Sequence, residues 1–228
     1  LLPFQANFVL EFLQPDSSTV WELASPTGTG KTQLGVEIAI RVLEDRDDAL
    51  VLILVPKVLA FQWTENLERQ FPNTHFVDRR KFIELAAAAE IGQPLWPAHA
   101  AIVMSIDLAK REDISASLGS VEWDLIIADE SHLLTGTRAN PFFRMLAEGR
   151  AKRGLMLTSL PTTEIYPHGV QVSRRTISLR DVTDWQGQPV LEPVVPEFEA
   201  VNYNRSEEEL AVLKAVENVA IKLSTVSP

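Results

Sequence analysis

Ser25-Pro-Thr-Gly-Thr-Gly-Lys-Thr32, SPTGTGKT, is the stretch of this 228-residue chain on which the fold turns. It follows the phosphate-loop pattern G-x-x-x-x-G-K-[ST], with Ser25, another small residue, in the place of the first glycine. Gly28 and Gly30 free the backbone to turn so that successive N–H groups converge on an anion. Pro26, Thr27 and Thr29 complete that cradle. Lys31 is spaced to reach β- and γ-phosphates, and Thr32 to set a hydroxyl on Mg²⁺. The flanks agree. Val20–Ala24 is an apolar strand leading into the loop, and Gln33–Glu44 carries Leu34, Ile38 and Val42 four apart on one helical face. A helix starting there aims its positive end at the same anion.

Outward from the loop, short apolar strands alternate with helical patterns. The spacing predicts strands at Leu50–Val55, Ala100–Met104, Trp123–Ala128 and Gly154–Thr158, and helices at Val58–Phe71, Arg80–Glu90 and Pro141–Glu148. Strands separated by helices imply parallel crossovers and a sheet covered on both faces. Phe4, Phe8 and Phe12 have the spacing of a helix packed onto that body, and Trp63 reads as core. The pattern changes near residue 165. Residues 166–200 are rich in Pro, Arg and β-branched residues with no helical period. Ser206 and Glu209 then form a capping box before a helix to about Leu223, with Leu210, Leu213, Ala220 and Leu223 on its apolar face. The organisation expected is a lobe over 1–165 and a linker segment with a helix over 166–228.

Bulk composition narrows the function classes. Hydrophobic residues make up 46% and charged residues 23%, as in ordinary globular domains. There is no apolar run of about eighteen residues, so no membrane-spanning helix is expected. Residues 1–13 lack the features of a signal peptide. The chain has no cysteine, which removes disulfides and Cys-ligated zinc. These features suit a cytoplasmic protein. The net charge of −10 means that any nucleic-acid site must be a local patch or be completed by further chain.

A phosphate loop needs a second, acidic site. Leu125-Ile-Ile-Ala128 ends in Asp129-Glu130-Ser131-His132. Carboxylates at the end of a buried parallel strand lie at the sheet edge where ligands bind. Asp129 would hold Mg²⁺ through its water shell, and Glu130 would orient and deprotonate an attacking water.

In order, these residues resemble the helicase-like superfamily 2 ATPases. Leu2-Pro-Phe-Gln5 is similar to their adenine-reading segment, with Gln5 as the reader. Residues 25–32 are similar to motif I, and Leu52-Ile-Leu-Val-Pro56 with Gln62-Trp63 to motif Ia. Ile102-Val-Met-Ser105 resembles the next, backbone-touching segment, DESH at 129–132 a DExH box, and Leu155–Pro161 motif III, with Ser-Leu-Pro where the family has Ala-Thr-Pro or Thr-Ala-Pro. Val172-Ser-Arg-Arg-Thr176, Arg180-Asp-Val182, Pro193, Val201-Asn-Tyr203 and the Glu-rich segment resemble the inter-lobe stretch of Swi/Snf-like ATPases, closest to the RapA-like bacterial branch.

The resemblance implies a RecA-like α/β lobe, ATP and Mg²⁺ as cofactors, and a role in a double-stranded DNA translocase of bacterial, nucleoid-associated type. It implies that His132 couples the ATP site to Thr158 and Ser159, and that Lys57, Ser105, Arg174 and Arg175 are candidates for nucleic acid. A salt bridge to the acidic body is the alternative for the two arginines, and a solvated turn lysine for Lys57. No part of the chain resembles motifs V and VI, so a second lobe and its arginine finger would have to complete the motor, and the chain alone would be nearly inactive. A non-catalytic nucleotide-binding or interaction module and an RNA-tracking or defence-complex subunit are the alternative readings.

Overall fold

The computed structural model describes residues 1–15, 17, 19–89, 95–134, 140–160, 166, 170–191, 206 and 209. By contacts the chain divides into Leu1–Glu192 and Pro193–Pro228. In the second unit the described residues are Ser206 and Glu209. Glu209 N donates to Ser206 Oγ at 3.2 Å and Ser206 N to Glu209 Oε2 at 2.9 Å, the reciprocal pair of a capping box. The helix expected beyond them, and Pro193 and Val201–Tyr203, lie outside the described residues.

The first unit is built on a parallel sheet of seven strands, in the order β3-β4-β2-β5-β6-β1-β7. The strands are β1 (Val20–Ala24), β2 (Leu50–Val55), β3 (Thr74–Phe76), β4 (Ala100–Ser105), β5 (Leu125–Asp129), β6 (Gly154–Thr158) and β7 (Val172–Thr176). Every described pairing is parallel, so all the strands end at one rim. The helices are α1 (Pro3–Leu13), α2 (Lys31–Asp45), α3 (Ala60–Glu68), α4 (Arg79–Ala88), α5 (Ile106–Ala109), α6 (Glu112–Leu118) and α7 (Pro141–Ala147).

Both faces of the sheet are covered, which is why strands such as LVLILV are apolar throughout. Alternation divides their side chains. Val51, Ile53, Val55, Ile127, Leu155 and Leu157 face a core shared with α1, α2 and α3. Leu52, Leu54, Ile102, Met104, Ile126 and Met156 face a second core shared with α4 to α7. Phe8 and Phe12 are buried in the first core, as their helical spacing predicts. Local signals set the helix starts. Asp78 accepts from Lys81 N at the head of α4, Ser105 from Leu108 N at α5, and Asn140 from Phe142 N ahead of Pro141 at α7.

The RecA-like α/β fold expected from the sequence is therefore present, with a wholly parallel sheet. Four elements had no counterpart in the sequence reading. Strand β3 is three residues long, and α5 and α6 are four and seven, too short to show a period. Strand β7 lies in the stretch expected to be irregular. It is an edge strand, its last three residues exposed, so apolar alternation is missing. An ion pair between an exposed arginine and a buried glutamate ties it on. Glu22 sits opposite Arg174 in the register, is fully buried, and meets Arg174 Nε at 2.7 Å and the Tyr166 hydroxyl.

Candidate active site

The loop between β1 and α2 is held by its own side chains. Gly28 and Gly30 take φ of +83° and +80°, the left-handed region glycine permits. Thr29 Oγ1 donates to Pro26 O at 2.8 Å, so the 2.9 Å contact between Thr29 Oγ1 and Ser25 Oγ has Ser25 as donor. Ser25 thus braces the loop where a glycine would contribute nothing. Lys31 Nζ donates to Ser25 O at 2.8 Å and Pro26 O at 3.1 Å. Burial lowers the Lys31 pKa, and the charges of Glu130 and Asp129 act against that shift. Thr27 and Gly28 are exposed, so an anion can reach the cradle. Thr32 lies in the first turn of α2.

Strand β5 brings Asp129 to the same rim. The residue is 2% exposed. Oδ2 accepts from the Trp63 indole at 2.8 Å and Oδ1 from Glu130 N at 2.9 Å. Burial raises the Asp129 pKa, and the two donors pull it back. Trp63 was expected only to pack. It does pack, with no exposed surface, but its N–H also fixes the carboxylate. It has little freedom to move. A Cβ on Gly35 of α2 would lie 2.5 Å from Trp63 Cη2.

Glu130 adopts a left-handed backbone at φ +50°, uncommon for a residue with a side chain. Its Oε2 lies 3.3 Å from His132 Nδ1 and accepts from Ser159 Oγ at 3.4 Å. Thr158 Oγ1 donates to Leu160 O at 2.8 Å and lies 3.3 Å from His132 Nδ1. With its hydrogen so used, Thr158 can only accept from the imidazole, and a carboxylate also only accepts. The proton therefore belongs on Nδ1, shared between Glu130 and Thr158. Asp129, Glu130, His132, Thr158 and Ser159 thus form one connected group across the ends of β5 and β6.

Other expected residues fall around this group. Gln5 lies beside the loop, 4% exposed, with Nε2 donating to Thr29 O at 3.0 Å and Gly30 O at 3.1 Å. Lys57 is exposed in a turn after β2, at the same rim. Ser105 ends β4 there, and its hydroxyl caps α5. Arg174 and Arg175 lie on β7. Both pair with carboxylates of the body, Arg174 with Glu22 and Arg175 with Glu11. Pro161 lies outside the described residues.

Among the described residues no group of three or more His, Cys, Asp or Glu converges as a metal cage. One hydroxyl and one carboxylate at a phosphate loop are hard oxygen donors that suit Mg²⁺, which keeps several waters. No helix among the described residues is long and apolar enough to cross a membrane.

Comparisons with known proteins show the family and the fold. The family described as type III restriction enzyme, res subunit, matches residues 4–163. The RNA polymerase-associated protein RapA of Vibrio campbellii is 34% identical over 148 residues, 61% of this chain and 15% of its own length. The RapA of Serratia proteamaculans is 30% identical over 145 residues, 62% of this chain and 14% of its own. The chain thus spans about 15% of the length of these curated relatives. Among solved structures, the Sulfolobus solfataricus SWI2/SNF2 ATPase core in complex with double-stranded DNA superposes with a TM-score of 0.55 at 19% identity, covering 71% of this chain and 32% of that one. The helicase domain of Pyrococcus furiosus Hef gives 0.55 at 24% identity, covering 77% and 38%. At such identities the structures speak to the fold.

Proposed function

Since this chain belongs to the res-subunit family of helicase-like proteins, and is a Swi/Snf-like first lobe of superfamily 2, we propose that it binds ATP with Mg²⁺ as part of an ATP-dependent double-stranded DNA translocase. The supporting observation is that Lys31, Asp129 and Glu130 meet at one sheet rim, close enough for the two carboxylates to act on the lysine's charge. In this reading the N–H groups of residues 28–32 and the amino end of α2 grip the polyphosphate. Lys31 exchanges the carbonyls of Ser25 and Pro26 for phosphate oxygens. Thr32 and Asp129 would hold the cation, which would supply neutralisation of the charge that builds on the phosphate oxygens. Glu130, fixed by its backbone and by Ser159 and His132, orients water and takes its proton. His132, Thr158 and Ser159 pass the state of that carboxylate to the end of β6. Lys57 and Ser105 lie on the rim where a nucleic-acid backbone would run.

Residues 1–228 contain no stretch resembling the motif that carries an arginine finger in a second lobe. An arginine finger is worth about 10³–10⁵ in rate, so this chain alone should turn over very slowly. Titration calorimetry with ATP–Mg²⁺ tests the first step: binding by the wild-type chain and none by Lys31→Ala is expected. A steady-state ATPase assay tests the rest. When a second lobe completes the motor, Glu130→Gln should bind ATP normally and not turn it over, with stimulation by duplex DNA exceeding that by single strands or RNA. Wild-type turnover in either variant would refute the site. Fast DNA-stimulated hydrolysis by residues 1–228 alone would refute the need for a second lobe.

A further inference from the structure

Asp129 closes a strand that is otherwise core. Leu125 and Ile127 face the side of the sheet covered by α1, α2 and α3, so alternation puts Asp129 on that side too. A carboxylate there needs a donor, because an unpartnered charge in a packed interior is costly. Helix α3 supplies it. Its inward stripe is Ala60, Trp63, Thr64 and Leu67, spaced as one helical face. Trp63 stands in the middle of that stripe with no exposed surface. Its ring is wedged against α2, where a Cβ on Gly35 would lie 2.5 Å from Cη2 and 3.4 Å from Cζ2. The same Cβ would meet Leu157 Cδ1 of β6 at 2.9 Å, so no slack lies on that side of the ring. The 2.8 Å bond from Trp63 Nε1 to Asp129 Oδ2 is therefore held in place by packing.

That bond governs how Asp129 can meet a cation. Oδ2 is engaged by a donor inside the protein, and Oδ1 accepts from Glu130 N at 2.9 Å. Each oxygen keeps a lone pair, but two donors fix the plane of the carboxylate. It cannot turn to present both oxygens to one ion. Mg²⁺ tolerates this, because it is bound through one or two carboxylates and keeps several waters. Ca²⁺ is larger, takes about six to eight oxygens and readily uses both oxygens of one carboxylate.

We propose that Trp63 sets the choice of divalent cation: by fixing Asp129 it admits a small ion that keeps its waters and disfavours one that needs both carboxylate oxygens. Trp63 acts through Asp129 and is a positioning residue. The proposal rests on the nucleotide reading above.

The test is titration calorimetry with ATP in Mg²⁺ buffer and with ATP in Ca²⁺ buffer. The wild-type chain should bind the Mg²⁺ complex more tightly. Trp63→Phe keeps an aromatic ring and loses the donor, and the ratio of the two affinities should fall about tenfold. Gly35→Ala keeps the indole and displaces it, so the ratio should fall in that variant as well. Both variants are compared below their melting temperatures, where near-UV circular dichroism reports native packing. A ratio that stays at the wild-type value would overturn the proposal. So would affinities for the two complexes that fall by the same factor, since a role in packing alone weakens both alike. A wild-type chain with no preference between the complexes would overturn it too. A wild-type chain that binds neither complex would overturn the nucleotide reading, and this proposal with it.

Discussion

Replacing Trp63 with phenylalanine removes the indole N–H that holds the Asp129 carboxylate. The bond is 2.8 Å long, and both partners are buried. A hydrogen bond to a charged group contributes about 1.5–3 kcal/mol, and the donor cannot be replaced by water in a packed interior. The smaller ring also leaves a void of at least methyl size, costing about 1 kcal/mol. The sum is about 3 kcal/mol. In a unit of this size each kcal/mol moves the melting temperature by roughly 2–4 °C, so a fall of about 6–12 °C is expected. The assay is calorimetric melting in metal-free buffer, repeated in an Asp129→Ala background. There the bond no longer exists, and Trp63→Phe should cost only the void, about 1 kcal/mol. Equal losses in the two backgrounds would show that the bond carries no energy and would refute the reasoning.

Three further predictions follow from the same contacts. Arg174→Ala removes the cation that meets the fully buried Glu22 carboxylate, and should cost about 1–3 kcal/mol in denaturant unfolding, with Glu22→Gln in the same chain recovering part of it. An unchanged midpoint would remove the ion pair as the anchor of β7. Gly35→Ala forces a Cβ to 2.5 Å from Trp63 and 2.9 Å from Leu157, so overpacking of about 1–3 kcal/mol should outweigh the gain in helix propensity, and a higher melting temperature would contradict that packing. Carboxyl NMR of the metal-free chain should place the Asp129 midpoint above the ordinary aspartate value of about 3.9, because burial raises it, and Asp113 below, because Arg79 donates to it. The signs then differ: Asp129 contributes stability that is present at low pH and lost as pH rises through its elevated midpoint, whereas Asp113 contributes stability lost as pH falls through its depressed one. The reverse order of midpoints would refute both assignments.

What the sequence made legible was local. The loop, the strand before it and the helix after it sit within about 25 residues, and each has its own signature in spacing or residue type. The DESH run could be placed at a sheet edge because a buried parallel strand must end where ligands bind. What stayed hidden depended on distant partners. Trp63 and Asp129 are 66 positions apart, and nothing in the residues around Trp63 announces an acceptor. Gln5 was expected from the resemblance to read adenine; that its amide turns to the backbone of Thr29 and Gly30 is a tertiary fact. Strand β7 lacks apolar periodicity because it is an edge strand with its last three residues exposed. Arg174 and Arg175 illustrate the same limit: a salt bridge to the acidic body was one reading of them, but that Glu22 and Glu11 are the carboxylates they meet is a tertiary fact.

Because every strand points the same way, the opposite end of the sheet carries none of the candidate chemistry. The exposed turn at Asp47, between α2 and β2, lies there. The chain has no native thiol, so Asp47→Cys would create a unique attachment point on that blank side. A dye, bead or glass surface coupled to it would leave the rim open, making the molecule suited to single-particle recording.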